Sequence, residues 1–423
     1  MDKSRINDLV GYLLLLVIGL SPLPLASNRP IFWAISGVVV FFAVTLFLAS
    51  MALGKSRLRI PLRSFTSIGI LMILYLGYMV LSPNGNTLAM LRTLSYGAFF
   101  FLMVQVCANR YRAKQIAIGM FFVTTVYATI GFAMLYGGLE LPAELGHEAY
   151  SDSAHGTFVN RNSYATYLGF GILLGMALLI NRLRGFEDGM LALSDEKLVI
   201  AGIAIVLMLV TLISTNSRMG VAAFGVAAVF FLMVLGMKRA HTGVGLTIGI
   251  SVAVLLLAWV ITSLYGATFL ERLGSVERDA DVRFALYEQV WEMIRAKPWA
   301  GHGPDSFEVA FPAFHQLPVS PDLLWNKAHN TYLTNWAETG LIAGSIPILL
   351  GLVVFIRLLH TVYKRRRRYI LSLLGASVIL QGAVHSTVDF SLEIQANMYL
   401  LLAILALGYT EAMHEKQRGP QDV

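Results

Sequence analysis

Leu198-Val-Ile-Ala-Gly-Ile-Ala-Ile-Val-Leu-Met-Leu-Val-Thr-Leu-Ile-Ser214 holds no ionisable residue over seventeen positions. A helix of roughly twenty such residues crosses a hydrocarbon core about 30 Å thick. Stretches of this kind recur from end to end, at about 9–25, 31–53, 65–82, 88–107, 116–136, 163–181, 198–214, 219–236, 245–265, 336–356, 369–388 and 396–412. Of the 423 residues, 57% are hydrophobic and 13% charged, about half the charge of an ordinary soluble domain. That excludes a soluble globular fold. A spanning helix satisfies its own backbone hydrogen bonds, whereas a barrel would need alternating ten-residue strands that the sequence lacks. The expected fold is an all-α integral membrane protein of about twelve transmembrane helices, residues 1–423 forming one polytopic domain.

The net charge of +7 does not point to nucleic acid, because Lys and Arg lie in short clusters between apolar spans. Basic residues are retained on the cytoplasmic side. With the amino terminus inside, 22 of the 32 basic residues fall on that side, and the run Lys364 to Arg368 is the strongest anchor. The first span, with Lys3 and Arg5 ahead of it and Ala26 and Ser27 behind, has the outline of a signal peptide. A second span follows within about five residues, so an uncleaved anchor is expected. Cys107 is the single cysteine, so no intramolecular disulfide forms.

Two outside segments exceed turn length, Gly137 to Asn162 and Gly266 to Asn335. Long ordered loops carry function more often than short ones, and residues 266–335 are read as a long periplasmic loop. Within it, the stretch Arg283 to Lys297 sets Phe284, Tyr287, Val290, Trp291 and Ile294 at helical spacing. The pattern predicts an amphipathic helix lying on the membrane, with Asp279 or Asp281 placed to cap its start and Pro298 stopping it.

Ionisable groups near the bilayer midplane mark transporters and pumps, and the span centres here are clean. The exceptions lie near outer ends: Arg92, Arg218, Glu338, and His385 with Asp389, the last two four apart and read as a hydrogen-bonded pair on one helical face. With Arg161, Arg283 and His329 they form a polar set at one membrane face. That suits a lipid-borne substrate whose charged head lies at the interface. Each arginine alone reads first as a snorkelling anchor, but outer-face anchors run against the positive-inside bias, which makes Arg218 and Arg161 less ordinary. His329, in Trp325-Asn-Lys-Ala-His-Asn-Thr-Tyr-Leu333, falls near a helix amino terminus, where the macrodipole disfavours imidazolium and leaves a proton-accepting ring. A satisfied interfacial histidine is the alternative.

Gly156-Thr-Phe-Val-Asn-Arg-Asn162, the Ser217-Arg218 step, the Arg283 to Trp291 helix, Pro298-Trp-Ala-Gly-His-Gly303, His329-Asn-Thr-Tyr-Leu and Glu338-Thr-Gly340 together resemble the O-antigen ligase and O-antigen polymerase superfamily. The resemblance covers roughly residues 155–400. It implies a GT-C-like, metal-independent glycosyltransferase working at the periplasmic face of the bacterial inner membrane without a cofactor. The implied donor is a glycan on undecaprenyl pyrophosphate, and the acceptor is lipid A core for a ligase or a second lipid-linked glycan for a polymerase. Arg218 and Arg283 match the family's pyrophosphate-holding arginines and His329 its essential histidine. Asn160, Arg161, Asn162, His302 and Glu338 are candidate supporting residues. Arg161 stands where a small residue is expected, and His302 makes the glycine turn bulkier. A lipid-carrier flippase or transporter is the rival, but its marks, inner-cavity charges or inverted repeats, are missing.

Overall fold

The computed structural model describes residues 3–82, 84–142, 145, 152–183, 195–238, 267–320 and 325–413, with side chains masked at 3–4, 183, 195 and 267–281. The regular elements of the described residues are all helices, with no strand. Eight helices run in order through the first half: α1 (Lys3–Leu20), α2 (Pro30–Ala52), α3 (Thr66–Leu81), α4 (Thr87–Cys107), α5 (Arg110–Tyr136), α6 (Arg161–Leu183), α7 (Asp195–Ser214) and α8 (Arg218–Met237). The second half holds α9 (Ala267–Ala296), α10 (Thr331–Gly344), α11 (Ile346–Lys364), α12 (Ile370–His385) and α13 (Gln395–Met413). Among the described residues nine helices are long and apolar enough to cross a membrane, and α12 is a shorter apolar one. The chain is a multi-pass membrane protein. The expected span at 245–265 lies outside the described residues.

The apolar stretches sort by burial. The spans of α6 and α13 are 83% and 78% buried, against 17% for α3 and 28% for α2 and α11. α6 and α13 therefore form the centre of the bundle, packed on α4, α8 and α12. Close packing at the centre uses small residues, as expected where lipid offers no hydrophobic drive between helices. A Cβ at Gly171 would lie 2.8 Å from Thr124, and one at Gly175 2.8 Å from Ile205. Outer helices instead expose Val38, Phe42, Ile73, Leu81, Phe122, Ile203 and Ile356, an apolar belt that only a lipid environment tolerates.

The bundle has two unlike ends. At one, basic groups are tied down: Arg112 Nε meets Asp8 at 2.6 Å, Arg365 donates to the Glu411 carbonyl at 2.7 Å, and Lys238 donates to that of Tyr363 at 2.7 Å. At the other, α9, residues 297–320 and 325–330, and α10 form a lid with its own core of Leu286, Val290, Met293, Ile294, Phe307, Phe311, Val319, Ala328 and Ala337.

Three local expectations change here. The span expected at 336–356 is two helices, and the spanning one is Ile346–Lys364. Gly340 (φ 74°) breaks the run. The Ala337 and Glu338 carbonyls, freed from helical bonding, accept from His302 N at 3.0 Å and Gly303 N at 2.8 Å, while Leu341 N donates to the Pro298 carbonyl at 2.8 Å. The loop at 298–303 thus supplies the bonds that the kink removes. Second, α9 does not reserve its apolar face for the membrane. Val290 and Ile294 are buried under α10, and Phe284 and Trp291 are exposed on the other side. The helix begins at Ala267, so Asp279 and Asp281 lie within it rather than at its start, although it does stop at Ala296, just before Pro298. Third, α12 ends at His385, and Asp389 lies in the loop beyond it, so the two do not share a helical face.

Candidate active site at the lid end of the bundle

Helix starts build the site. Asn160 Oδ1 accepts from Ser163 N at 2.7 Å and opens α6 at Arg161. Ser217 Oγ accepts from Gly220 N at 3.2 Å and opens α8 at Arg218. Asn330 Oδ1 accepts from Tyr332 N and Leu333 N at 3.0 and 3.1 Å and opens α10. Each cap satisfies amides left without helical partners, and each helix turns its positive end toward the same region.

These starts are wired together. Ser217 Oγ donates to Asn162 Oδ1 at 2.8 Å, and Asn162 Nδ2 reaches Asp389 Oδ1 at 3.3 Å. Ser391 Oγ donates to Asp389 Oδ2 and lies 3.3 Å from His385 Nδ1, which is also 2.6 Å from Thr166 Oγ1. Asn397 Nδ2 bonds the Ser163 and Ser391 carbonyls, both at 2.9 Å. His385 and Asp389 are thus joined through Ser391.

His329 stands between the lid and this network. Its backbone has φ +50°, a region disfavoured for any residue with a side chain. Its ring packs edge-on against Phe390, 5.0 Å between centroids, and against Trp325 at 5.9 Å. Tyr287 of α9 donates to its carbonyl at 3.0 Å. Burial lowers the His329 pKa below the ordinary imidazole value; Asp389 works against that and Arg283 reinforces it. Burial thus favours the neutral, proton-accepting ring, with Asp389 placed to stabilise a proton it gains. His329 Nδ1 and His385 Nε2 are buried and make no hydrogen bond among the described residues. Arg283 and Asp389 also act oppositely on Tyr287, whose hydroxyl burial pushes up. Arg283 therefore faces the same space from α9.

The sequence-derived candidates divide into two groups. Asn160, Arg161, Asn162, Arg218, Arg283 and His329 lie around the helix starts and Asp389. His302 and Glu338 do not. His302 Nε2 lies 3.0 Å from the Met293 carbonyl and its own carbonyl accepts from Asn84 at 2.9 Å, so it ties the glycine turn to α9 and to the α3–α4 connection. Glu338 accepts from Asp305 N at 3.0 Å and Phe307 N at 3.1 Å. Burial pushes its carboxyl up to about 7, against the pull of Lys327.

Glu338 borders a cavity of about 70 Å³ that Arg92, Asp305, Lys327 and Glu393 also line. Lys327 Nζ meets Glu393 at 2.9 Å and Asp305 at 3.7 Å; Arg92 meets Asp305 at 3.7 Å and stacks on Trp33 at 4.1 Å. Lys327, Asp305 and Glu393 were not singled out from the sequence. The available signal was a lysine two residues before His329 in an otherwise aromatic and amide-rich stretch. No group of three metal-binding side chains is found among the described residues.

Residues 203–348 match the family model described as O-antigen ligase. The match places these residues in the O-antigen ligase and polymerase superfamily. It takes in Arg218, Arg283, His302, His329 and Glu338, and the kinked α10. The superfamily assignment carries a glycosyltransferase-like activity on lipid-linked glycans in general terms. A comparison with curated proteins finds no match.

Proposed function

We propose that this O-antigen ligase superfamily chain transfers a glycan from undecaprenyl pyrophosphate to an acceptor hydroxyl at the periplasmic face of the inner membrane, with lipid A core as acceptor. The observation that carries the reading is the convergence of Arg283, His329 and the Arg218 helix start around Asp389 beneath the lid. Three helix amino termini converge there, a setting that favours an anion. The orientation is supported by basic groups gathered at the opposite end and by the 22 of 32 basic residues expected there.

In this reading Arg218 and Arg283 hold the pyrophosphate, since guanidinium groups grip phosphate oxygens bidentately and stay charged. The acceptor oxygen attacks the anomeric carbon as the bond to the pyrophosphate oxygen breaks. His329 takes the hydroxyl proton, and the carrier leaves as the pyrophosphate anion. Attack from the face opposite the leaving group inverts the anomeric centre. Two arginines neutralise the leaving group, so the chemistry does not require a metal.

The test is transfer by the purified chain with a lipid-linked glycan and two acceptors, lipid A core and a second lipid-linked glycan. Product on lipid A core supports the ligase, and product only on the second glycan makes it a polymerase. Activity is expected to survive excess chelator. Arg218→Lys and Arg283→Lys are each expected to lose most of it, because an ammonium cannot supply paired donors. Near-normal transfer by both would remove these arginines from the site.

A further inference from the structure

His329 occupies a backbone conformation that the chain does not adopt unaided. Holding it there falls to contacts between two segments, 327–331 from the lid and 386–393 from the α12–α13 connection. Thr331 N donates to the Ser386 carbonyl at 3.0 Å, Asn330 Nδ2 to the Thr387 carbonyl at 2.9 Å, and Thr331 Oγ1 to the Asp389 carbonyl at 3.2 Å. His329 itself packs edge-on against Phe390.

At the other edge of this seam Lys327, two residues before His329, pairs with Glu393, two residues after Ser391, at 2.9 Å. Their side chains are only 18% and 15% exposed. A pair so withdrawn from water gains little net stability, because desolvation offsets the attraction. What it does provide is register: a charged contact fixes two segments relative to each other where apolar packing tolerates sliding.

We propose that the Lys327–Glu393 ion pair positions His329 against the Asp389–Ser391 carboxylate and hydroxyl, making Lys327 and Glu393 positioning residues for the transfer. The inference rests on the reading of His329 as the group that takes the acceptor's proton. The surrounding charges fit the role. Asp305 faces Lys327 and Arg92, and Glu338 faces Lys327 from α10. The neighbouring carboxylates hold the Lys327 ammonium charged, its pKa raised despite burial. Misplacing a reacting group by about 1 Å is enough to cost roughly 100-fold in rate.

The experiment uses the full chain in detergent, with two readouts for Lys327→Met, Glu393→Gln and Lys327→Arg. The first needs no substrate: the rate at which diethyl pyrocarbonate modifies His329, followed by mass spectrometry, with exposed His360 as internal reference. The second separates kcat from donor affinity. In Lys327→Met and Glu393→Gln, His329 is expected to react several-fold faster, His360 as before, and kcat to fall by about 100-fold with donor affinity kept. Lys327→Arg should stay near wild type in both. Glu393→Gln keeps shape and acceptor, and so guards against simple unfolding of the lid. Unchanged His329 reactivity in both disruptive variants overturns the proposal, as does parallel loss of donor binding and kcat. Absence of transfer by the wild type with either acceptor would refute the functional reading instead, and the modification rates would still decide the positioning role.

Discussion

Substituting Gly340 by alanine tests whether the lid is locked to the bundle by the meeting of Pro298–Gly303 with the kink in α10. Gly340 has φ 74° and ψ 166°, a left-handed value that costs a residue with a Cβ about 1–2 kcal/mol. An added Cβ would lie less than 3.0 Å from the Trp299 carbonyl oxygen and 2.6 Å from its carbon. Those are rigid backbone atoms, so the overpacking adds about 1–3 kcal/mol. Relieving the clash pushes the loop away and strains three bonds, from His302 N, Gly303 N and Leu341 N, each worth roughly 0.5–1.5 kcal/mol. The combined cost is roughly 4–9 kcal/mol, enough to open the lid locally while the bundle stays folded. Two glycines calibrate the effect. Gly138 (φ +65°) and Gly351 both have open space where a Cβ would go. Gly138→Ala should cost only the about 1–2 kcal/mol of backbone strain, and Gly351→Ala, inside α11, should be neutral or stabilising by about 0.5–1 kcal/mol. Limited trypsin digestion after Arg295, exposed in the lid, reports its opening, and thermal unfolding in detergent reports the bundle. The expected order of lid cleavage is Gly340→Ala far above Gly138→Ala, with Gly351→Ala at wild-type level. Cleavage of Gly340→Ala no faster than of Gly138→Ala would show that the loop does not bear on the kink, and the lock would be refuted.

His329→Ala should abolish transfer, since a positioned base contributes about 100- to 10,000-fold, while donor binding survives on Arg218 and Arg283; loss of donor binding would put His329 on the phosphate. Because the His329 pKa is lowered, the proton-accepting form persists to below the ordinary value of 6.5, so kcat/KM should fall only as pH drops beneath that; a limb above 6.5 contradicts a buried neutral base. Single cysteines at Leu317 in the lid and Tyr363 at the basic end, both highly exposed, should label unequally with an impermeant reagent in intact cells in a Cys107→Ala background. Leu317 should label from outside and Tyr363 should not; equal labelling would defeat the proposed orientation.

The spanning helices were legible because length and apolarity suffice: α2, α4, α7 and α8 begin and end within a few residues of the expected stretches. The start of α8 at the Ser217-Arg218 step was legible too, because serine is a good cap, whereas the caps at Asn160 and Asn330 set helix starts two to five residues ahead of the apolar stretches that periodicity marks. What escaped reading was tertiary. The run at 336–356 looks continuous because Gly340 and Pro347 sit among apolar residues, and the bonds that make a kink affordable come from His302, Gly303 and Pro298, some forty residues away. The apolar stripe of α9 shows periodicity but does not name its partner, which is α10 and the segment 307–314. Likewise, Lys327 and Glu393 are far apart in sequence, and neither has a local pattern that announces an ion pair.

The placement of charge follows from the cost of holding it. Within a bilayer an ionisable group is expensive unless it meets a partner or water, and an irregular backbone is tolerated only where protein covers it. The loops that carry Asn160, Ser217, His329 and Asp389 are irregular, yet they meet at one end of the bundle beneath α9 and α10. The lid supplies both requirements. Its own carboxylate Asp305 faces Arg92 of α4, and its Lys327 faces Glu393 of the α12–α13 connection, so charge from each part meets charge from the other. Its loop at 298–303 also satisfies the backbone that the α10 kink exposes. A lid held by backbone bonds at Gly340 and by ion pairs at Lys327 therefore fixes the height of His329 over Asp389 from both sides. Opening either side should loosen His329 without disturbing α6 and α13, whose packing lies deeper in the bundle.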